Sequence, residues 1–208
     1  GEEAFPRLLE ALARGERAEA VPGVISSRGG TSPSPSVSTV SVRCATDHPP
    51  EVVSHYLRHA GMLNLQTQRG CACRCCYCTY PLLEGRRRLG RDPDEVAEEM
   101  ATLAAAGARY VFVVDSIFNS SREHVLAICE AIVRRKPGLA WGCFLRPQGL
   151  DAEQARALAR AGLAHAEFGS DSFSDTVLRA YHKGFRFDDV VHSHRLLRDV
   201  RVSSCHFF

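Results

Sequence analysis

A chain of 208 residues, 45% hydrophobic and 24% charged, is long enough to bury a sizeable core and has the balance of a globular domain. A net charge of +2 gives no electrostatic case for nucleic acid or a membrane surface as partner, and no apolar run approaches the ~20 residues of a membrane span. The acidic start, Gly1-Glu-Glu-Ala-Phe-Pro6, lacks the basic and apolar regions of a signal peptide. A cytoplasmic, reducing setting is therefore expected, in which clustered cysteines hold metal rather than form disulfides. The sequence has no initiating Met and stops inside a β-like run, Ser203 to Phe208, so it reads as an internal piece of a longer protein.

Phe5, Leu8, Leu9 and Leu12 recur at helical spacing over residues 4–14, with Pro6 in the first turn. Val21–Ile25 is a candidate short strand. Ser, Pro, Gly and Thr then dominate to Pro50, the composition of an extended linker with little to bury. Residues 51–59 read as a short helix with His55 and His59 one turn apart, a pair that lacks a third ligand. Residues 1–60 thus form a helix-and-linker segment, and a patterned core begins at residue 61.

Met62–Gln66 alternates like a strand and runs into the segment Arg69-Gly-Cys-Ala-Cys-Arg-Cys-Cys-Tyr-Cys-Thr-Tyr80. Asp92 and Glu95 then open a helix with Pro93 at its first position, an apolar face of Val96, Met100, Leu103 and Ala104, and Gly107 at its end. Tyr110–Val114 follows as a continuously apolar strand. Ser120 and Glu123 are the expected cap of the next helix, which leads to a strand over Leu139–Leu145. Asp151 and Gln154 start a third helix, and Ala164–Phe168 is a fourth strand. Ser174 and Asp188 are read as caps of two further helices, and residues 201–208 begin a fifth strand. Such alternation argues for parallel βαβ units, arranged as a doubly wound sheet or as a barrel. Asp115, Ser116, Arg146, Glu167, Asp171 and Ser172 all fall at strand C-terminal ends, where both architectures place their sites.

Five of the nine cysteines lie between positions 71 and 78. Cys71, Cys75 and Cys78 have the spacing C-x3-C-x2-C, and Cys73 with Cys76 makes a second C-x2-C, so counting alone does not choose between them. A 4Fe–4S cluster normally takes four thiolates, and a triplet would leave one iron open, as reactive metal centres do. A zinc module or a passive electron-transfer protein would want a second separated pair or a fourth spaced cysteine, and neither is present in that pattern. Cys44, Cys129, Cys143 and Cys205 read as packing residues, and Arg86–Arg88 with Arg91 as a solvated basic run.

The loop follows a strand, precedes a helix and carries Tyr77 just before its last cysteine. Here the sequence resembles the radical SAM superfamily, and within it the proteins that carry a cobalamin-binding domain. Gln68–Cys71, Tyr77–Pro81, Leu83–Arg87, Asp115–Asn119, Glu167–Ser172 and Lys183–Phe185 carry the resemblance, over about residues 66–208. It implies an incomplete parallel (β/α)6 partial barrel over residues 61–208, truncated at its C-terminal end. It also implies a 4Fe–4S cluster on Cys71, Cys75 and Cys78 whose open iron is chelated by S-adenosylmethionine, cleaved reductively to methionine and a 5′-deoxyadenosyl radical. Cys73 and Cys76 become bystanders. Tyr77 is then expected beside the adenine and Asp115 with Ser116 at the methionine amino group. Arg146 and Lys183 are expected at its carboxylate, and Glu167 and Ser172 at ribose hydroxyls or substrate. The implied partners are a small-molecule substrate and an electron donor such as flavodoxin or ferredoxin. Cobalamin, where used, would sit in a domain outside this chain, because no Asp-x-His-x-x-Gly motif is present.

Overall fold

The computed structural model describes residues 4–27 and 49–208, and these fall into two units, residues 4–27 in one and 49–208 in the other. In the first, helix α1 (Ala4–Ala13) is followed by a 3-10 turn at Ala18–Ala20. Val21–Ile25 is turn and open loop rather than a strand. Pro22 has no amide to give a ladder, and Gly23 turns the chain at φ +86°. Cys44 and most of the Ser/Pro-rich segment lie outside the described residues.

The second unit starts with α2 (Pro50–His59) and β1 (Met62–Leu65). A two-residue strand β2 (Gln68–Arg69), the cysteine loop and the short helix α3 (Tyr80–Leu83) lead to β3 (Leu89–Gly90), which pairs antiparallel with β2. Then come α4 (Pro93–Ala105), β4 (Tyr110–Val113), α5 (Arg122–Arg135), β5 (Ala140–Leu145), α6 (Ala152–Arg160) and β6 (Leu163–Gly169). The last elements are α7 (Asp175–Ala180), α8 (Phe187–Asp199) and β7 (Ser203–Phe207).

Five strands form one parallel sheet in the order β1-β4-β5-β6-β7. That order never reverses. A doubly wound sheet reverses at a switch point and puts helices on both faces, whereas successive right-handed crossovers in one direction put every helix on the same face. Accordingly α4 packs on α5, α5 on α6 and α6 on α8. The sheet is an arc of a barrel, not closed on itself.

The core lies between this helical layer and the sheet. Leu65, Val111, Val113, Cys143, Ala166 and Phe168 enter it from the strands, and Val96, Met100, Val125, Ile128, Leu158 and Leu197 from the helices. Trp141 is fully buried, with its indole N–H donating to the Ala161 carbonyl at 2.9 Å. The alternate strand positions face the other, concave side. There Phe112 and Phe144 meet edge to face at 5.0 Å, and His165 lies 3.6 Å from Glu167. Tyr110 crosses Gly142 so closely that a Cβ on Gly142 would come within 2.0 Å of the phenol oxygen. Cys205 is exposed rather than packed, unlike the buried Cys129 and Cys143.

The caps follow the sequence in part. Asp92 accepts from the amides of Asp94 and Glu95, and Asp151 with Gln154 makes a full capping box. Helix α5 is capped by Ser121, because the Ser120 hydroxyl instead donates to the Gln68 side-chain oxygen at 2.8 Å. Helix α8 starts at Arg186 with Asp189 reaching back to its amide, so Asp188 is not the cap. Among the described residues no helix is long and apolar enough to cross a membrane.

Candidate functional site

The cysteine loop is anchored at its start by a glycine that admits no side chain. Gly70 has φ +90°, and a Cβ there would lie 2.1 Å from the Arg87 carbonyl oxygen. This close approach lets the Cys71 amide donate to the Gly85 carbonyl at 3.0 Å. Glu84 binds the loop from below, accepting from the Gly70 amide, the Gln66 side chain and the Ser116 hydroxyl. At the far side, the Cys78 amide donates to the Cys75 carbonyl and the Cys76 amide to the Tyr181 carbonyl.

These tethers place the loop over the C-terminal ends of the strands, where it walls a cavity of about 290 Å³. Cys71, Cys73, Cys75, Cys78 and Tyr77 line it from the loop, Ser116 and Arg146 from the strand ends, and Asp171, Lys183, Phe185 and Phe207 from the opposite side. Seven of the ten residues expected at the site are thus brought together: Cys71, Cys75, Cys78, Tyr77, Ser116, Arg146 and Lys183. Cys76 is exposed and does not line the cavity.

Asp115, Glu167 and Ser172 are not on the cavity wall. Glu167 lies lower, on the concave face beside His165, and the Ser172 hydroxyl accepts from the Ser174 amide within its own loop. Asp115 is fully buried and turned back toward β1, where it accepts from the Thr67 and Gln68 amides and the Thr67 hydroxyl. The Thr67 oxygen in turn lies 2.9 Å from His124 Nε2. With the hydroxyl proton given to Asp115, the Thr67 oxygen accepts from a neutral, Nε2-protonated imidazole.

Burial pushes the Asp115 carboxyl up to about 6, against the hydrogen bonds from Thr67 and Gln68. Burial also pulls the His124 imidazole down to about 4, with Arg88 nearby acting the same way. The two shifts act on stability with opposite signs. Asp115 holds its proton more tightly folded than unfolded, so its contribution is present below about pH 4 and lost as pH rises through about 6. The His124 contribution is present above about pH 6.5 and lost as pH falls toward about 4. Asp115→Asn should therefore make stability rise more steeply with pH across this window than in the unaltered protein. His124→Gln should make it rise less steeply or fall. Urea midpoints at both ends of the window check this, and parallel profiles for the two variants would contradict it.

The cavity is strongly polarised. Arg146 donates to the Cys73 sulfur at 3.2 Å and to the Lys183 carbonyl at 2.5 Å. Lys183 is buried and pairs with Asp171, and it donates to the Tyr77 hydroxyl at 3.0 Å. Burial pulls the ammonium down, but Asp171 and Tyr77 outweigh it and hold Lys183 above its ordinary range. Burial and the Asp171 carboxylate push the Tyr77 phenol up to about 12, so it stays neutral, accepting from Lys183 and donating to Asp171 at 2.5 Å. A hydrogen bond from Cys71, with Arg146 close by, holds the Cys73 thiol below its ordinary range despite burial, whereas Cys71 is pushed up. Of the basic run, Arg86, Arg87 and Arg88 are exposed. Arg91 is not solvated: it forms a buried ion pair with Glu99 at 2.7 Å and donates to the Gln66 carbonyl.

The donor set suits an iron–sulfur cluster. Among the described residues no three His, Cys, Asp or Glu side chains gather tightly enough to hold a single metal ion. A cluster instead takes one thiolate at each of several irons, and Cys71, Cys75 and Cys78 present theirs to one shared cavity. Arg146 and Lys183 supply the positive charge that a thiolate-bound cluster needs nearby.

Comparison with known proteins gives the same picture. The radical S-adenosylmethionine methyltransferase TsrM from Kitasatospora setae, solved with tryptophan and a SAM analogue bound, superposes with a TM-score of 0.83. It is 29% identical over 99% of this chain, which covers 44% of TsrM. A second TsrM structure holds cobalamin and a [4Fe–4S] cluster. The cobalamin-dependent SAM radical enzyme OxsB shares the fold with a TM-score of 0.74, at 17% identity over 99% of this chain and 32% of its own. An uncharacterized methyltransferase of Pyrococcus horikoshii is 26% identical over 58% of this chain, and a tRNA-2-methylthio-N(6)-dimethylallyladenosine synthase of Sorangium cellulosum 31% identical over 53%. The chain spans only 26% and 27% of these two relatives. Residues 65–208, most of the sequence, match the radical SAM superfamily, and the chain belongs to that superfamily.

Proposed function

We propose that the chain forms the cofactor-binding part of a radical SAM enzyme that cleaves S-adenosylmethionine reductively at a 4Fe–4S cluster. The observation that carries this reading is the cavity itself, with three correctly spaced thiols on one wall and two cations, Arg146 and Lys183, facing them. Cys71, Cys75 and Cys78 would hold three irons, leaving the fourth for the amino and carboxylate groups of S-adenosylmethionine. When bound, the cluster and S-adenosylmethionine supply the one-electron chemistry that yields methionine and a 5′-deoxyadenosyl radical. The residues of this chain bind and orient. Arg146 and Lys183 draw the carboxylate inward, Tyr77 offers a neutral phenol face toward the adenine, and buried Phe185 excludes water. Ser116 acts through Glu84, to which it donates.

Methyl transfer to a small molecule with cobalamin as carrier is the favoured reaction, supported by the 29% identity to TsrM across nearly the whole chain. Cobalamin would bind in a domain beyond these residues. The division into a segment over residues 1–60 and a core over residues 61–208 belongs to the same proposal, as do a cytoplasmic setting and a flavodoxin or ferredoxin donor. Anaerobic reconstitution with iron and sulfide should give a brown protein with about four irons per chain. Reduction of the reconstituted full-length protein with S-adenosylmethionine present should then release 5′-deoxyadenosine. A colourless protein that takes up zinc but no iron would reject the reading.

A further inference from the structure

Asp171 occupies a position that neither capping nor core packing explains. Its backbone is left-handed at φ +63°, an uncommon conformation for a residue other than glycine, and its amide donates to the Phe207 carbonyl at 2.7 Å. Held this way, its carboxylate meets two groups from distant parts of the chain, the Tyr77 hydroxyl and the Lys183 ammonium. Tyr77 and Lys183 also bond to each other, which closes a three-membered ring of contacts. Around this ring the Cys76 amide reaches the Tyr181 carbonyl, and the Tyr77 and Tyr181 rings meet edge to face at 5.7 Å. On the other side Arg146 bridges the Cys73 sulfur and the Lys183 carbonyl. The Tyr77 contacts and the Cys76–Tyr181 bond join the cysteine loop directly to the segment from Asp171 to Lys183, and Arg146 joins them as a bridge.

We infer that Asp171 is a positioning residue: it clamps the Tyr77 phenol and the Lys183 ammonium together, so that the cysteine loop and the cavity's buried cation move as one rigid unit. The inference rests on the proposed role of this loop in holding a cluster, but Asp171 itself need not touch cluster, cofactor or substrate. Its charge is required because Lys183 is buried, and a buried ammonium without a counter-charge is strongly disfavoured. Its geometry is required because the loop segment between Cys71 and Tyr80 has no regular secondary structure to hold it.

Thiol labelling of iron-free protein, resolved cysteine by cysteine, reads the clamp without any need for the cluster. Asp171→Asn and Tyr77→Phe should each speed labelling of Cys71, Cys75 and Cys78 about tenfold, the effect of losing one charge-assisted hydrogen bond. Combining them should speed it by less than the product of the two single effects, since both remove the shared Tyr77–Asp171 contact, while Asp171→Asn also strips Lys183 of its counter-charge and Tyr77→Phe strips it of its hydroxyl partner. Labelling of buried Cys129 and Cys143 should stay at the unaltered rate. In reconstituted protein, release of iron to a chelator should follow the same pattern. Unchanged loop labelling in both single variants would overturn the inference, as would multiplying effects in the double variant. Acceleration shared equally by Cys129 and Cys143 would overturn it too, because that signals general loosening. Tyr77→Phe removes one hydroxyl from a half-exposed ring, so it keeps the test decisive even where Asp171→Asn folds poorly. A protein that takes up no iron would strike the proposed function, while the labelling arm would still judge the clamp.

Discussion

Cys71→Ala, Cys75→Ala and Cys78→Ala should each abolish assembly of a stable cluster, while Cys76→Ala leaves iron and sulfide content at the level of the unaltered protein. The prediction separates thiols that sequence spacing leaves ambiguous, because Cys73 and Cys76 form their own C-x2-C. Cys71, Cys75 and Cys78 share the cavity wall, whereas Cys76 is exposed and off it. Losing one of three thiolates leaves one iron without its protein ligand. Cys73 is the sharper case, because it also lines the cavity and its sulfur already accepts from Arg146. Cys73→Ala should retain iron, with Arg146 freed from one partner. Loss of iron in Cys73→Ala together with retention in Cys75→Ala would move the ligand set to the other pair. Iron and sulfide analysis after anaerobic reconstitution decides it.

Lys183→Met should weaken S-adenosylmethionine binding about 30-fold or more with iron content unchanged. Lys183 is the buried cation of the cavity, and truncating one partner of a desolvated charge pair commonly costs about 2–5 kcal/mol. The substitution does a second thing. It leaves the Asp171 carboxylate, until then paired with Lys183, facing the cavity and repelling the incoming carboxylate of the cofactor. Adding Asp171→Asn should therefore recover part of the lost affinity. Equilibrium dialysis of the reconstituted proteins measures both steps. Equal affinity in Lys183→Met and the unaltered protein would remove Lys183 from the binding site.

The sheet and the loop were legible in the sequence for simple reasons. Buried parallel strands leave continuous apolar runs such as Tyr110–Val113, and Asp92 and Asp151 are caps whose partners lie within three residues. A local pattern also located the cysteine loop. What the sequence left out is long-range. Ser120 looks like the cap of α5 until Gln68, 52 positions earlier, takes its hydroxyl. Asp115 ends a strand and looks like a ligand, yet the turn after β1 brings the Thr67 and Gln68 amides onto it and buries it. The clamp joins Tyr77 to Asp171 across 94 positions, a separation at which no periodicity or spacing carries information. Arg91 fell in a basic run and so read as solvated, but Glu99, two turns into α4, meets it in the interior. The direction of the sheet came from the family resemblance rather than from the pattern, because doubly wound and barrel folds share the same alternation of elements. The unreversed strand order bears out the partial barrel.

The three loop cysteines would leave one iron open for S-adenosylmethionine, inside the cavity that Cys71 and Lys183 line. Electron-nuclear double resonance on the reduced, reconstituted protein tests this directly, using S-adenosylmethionine labelled in its amino nitrogen and carboxylate oxygens. Couplings from both labels to the cluster are expected. Bound cofactor with neither coupling would contradict it.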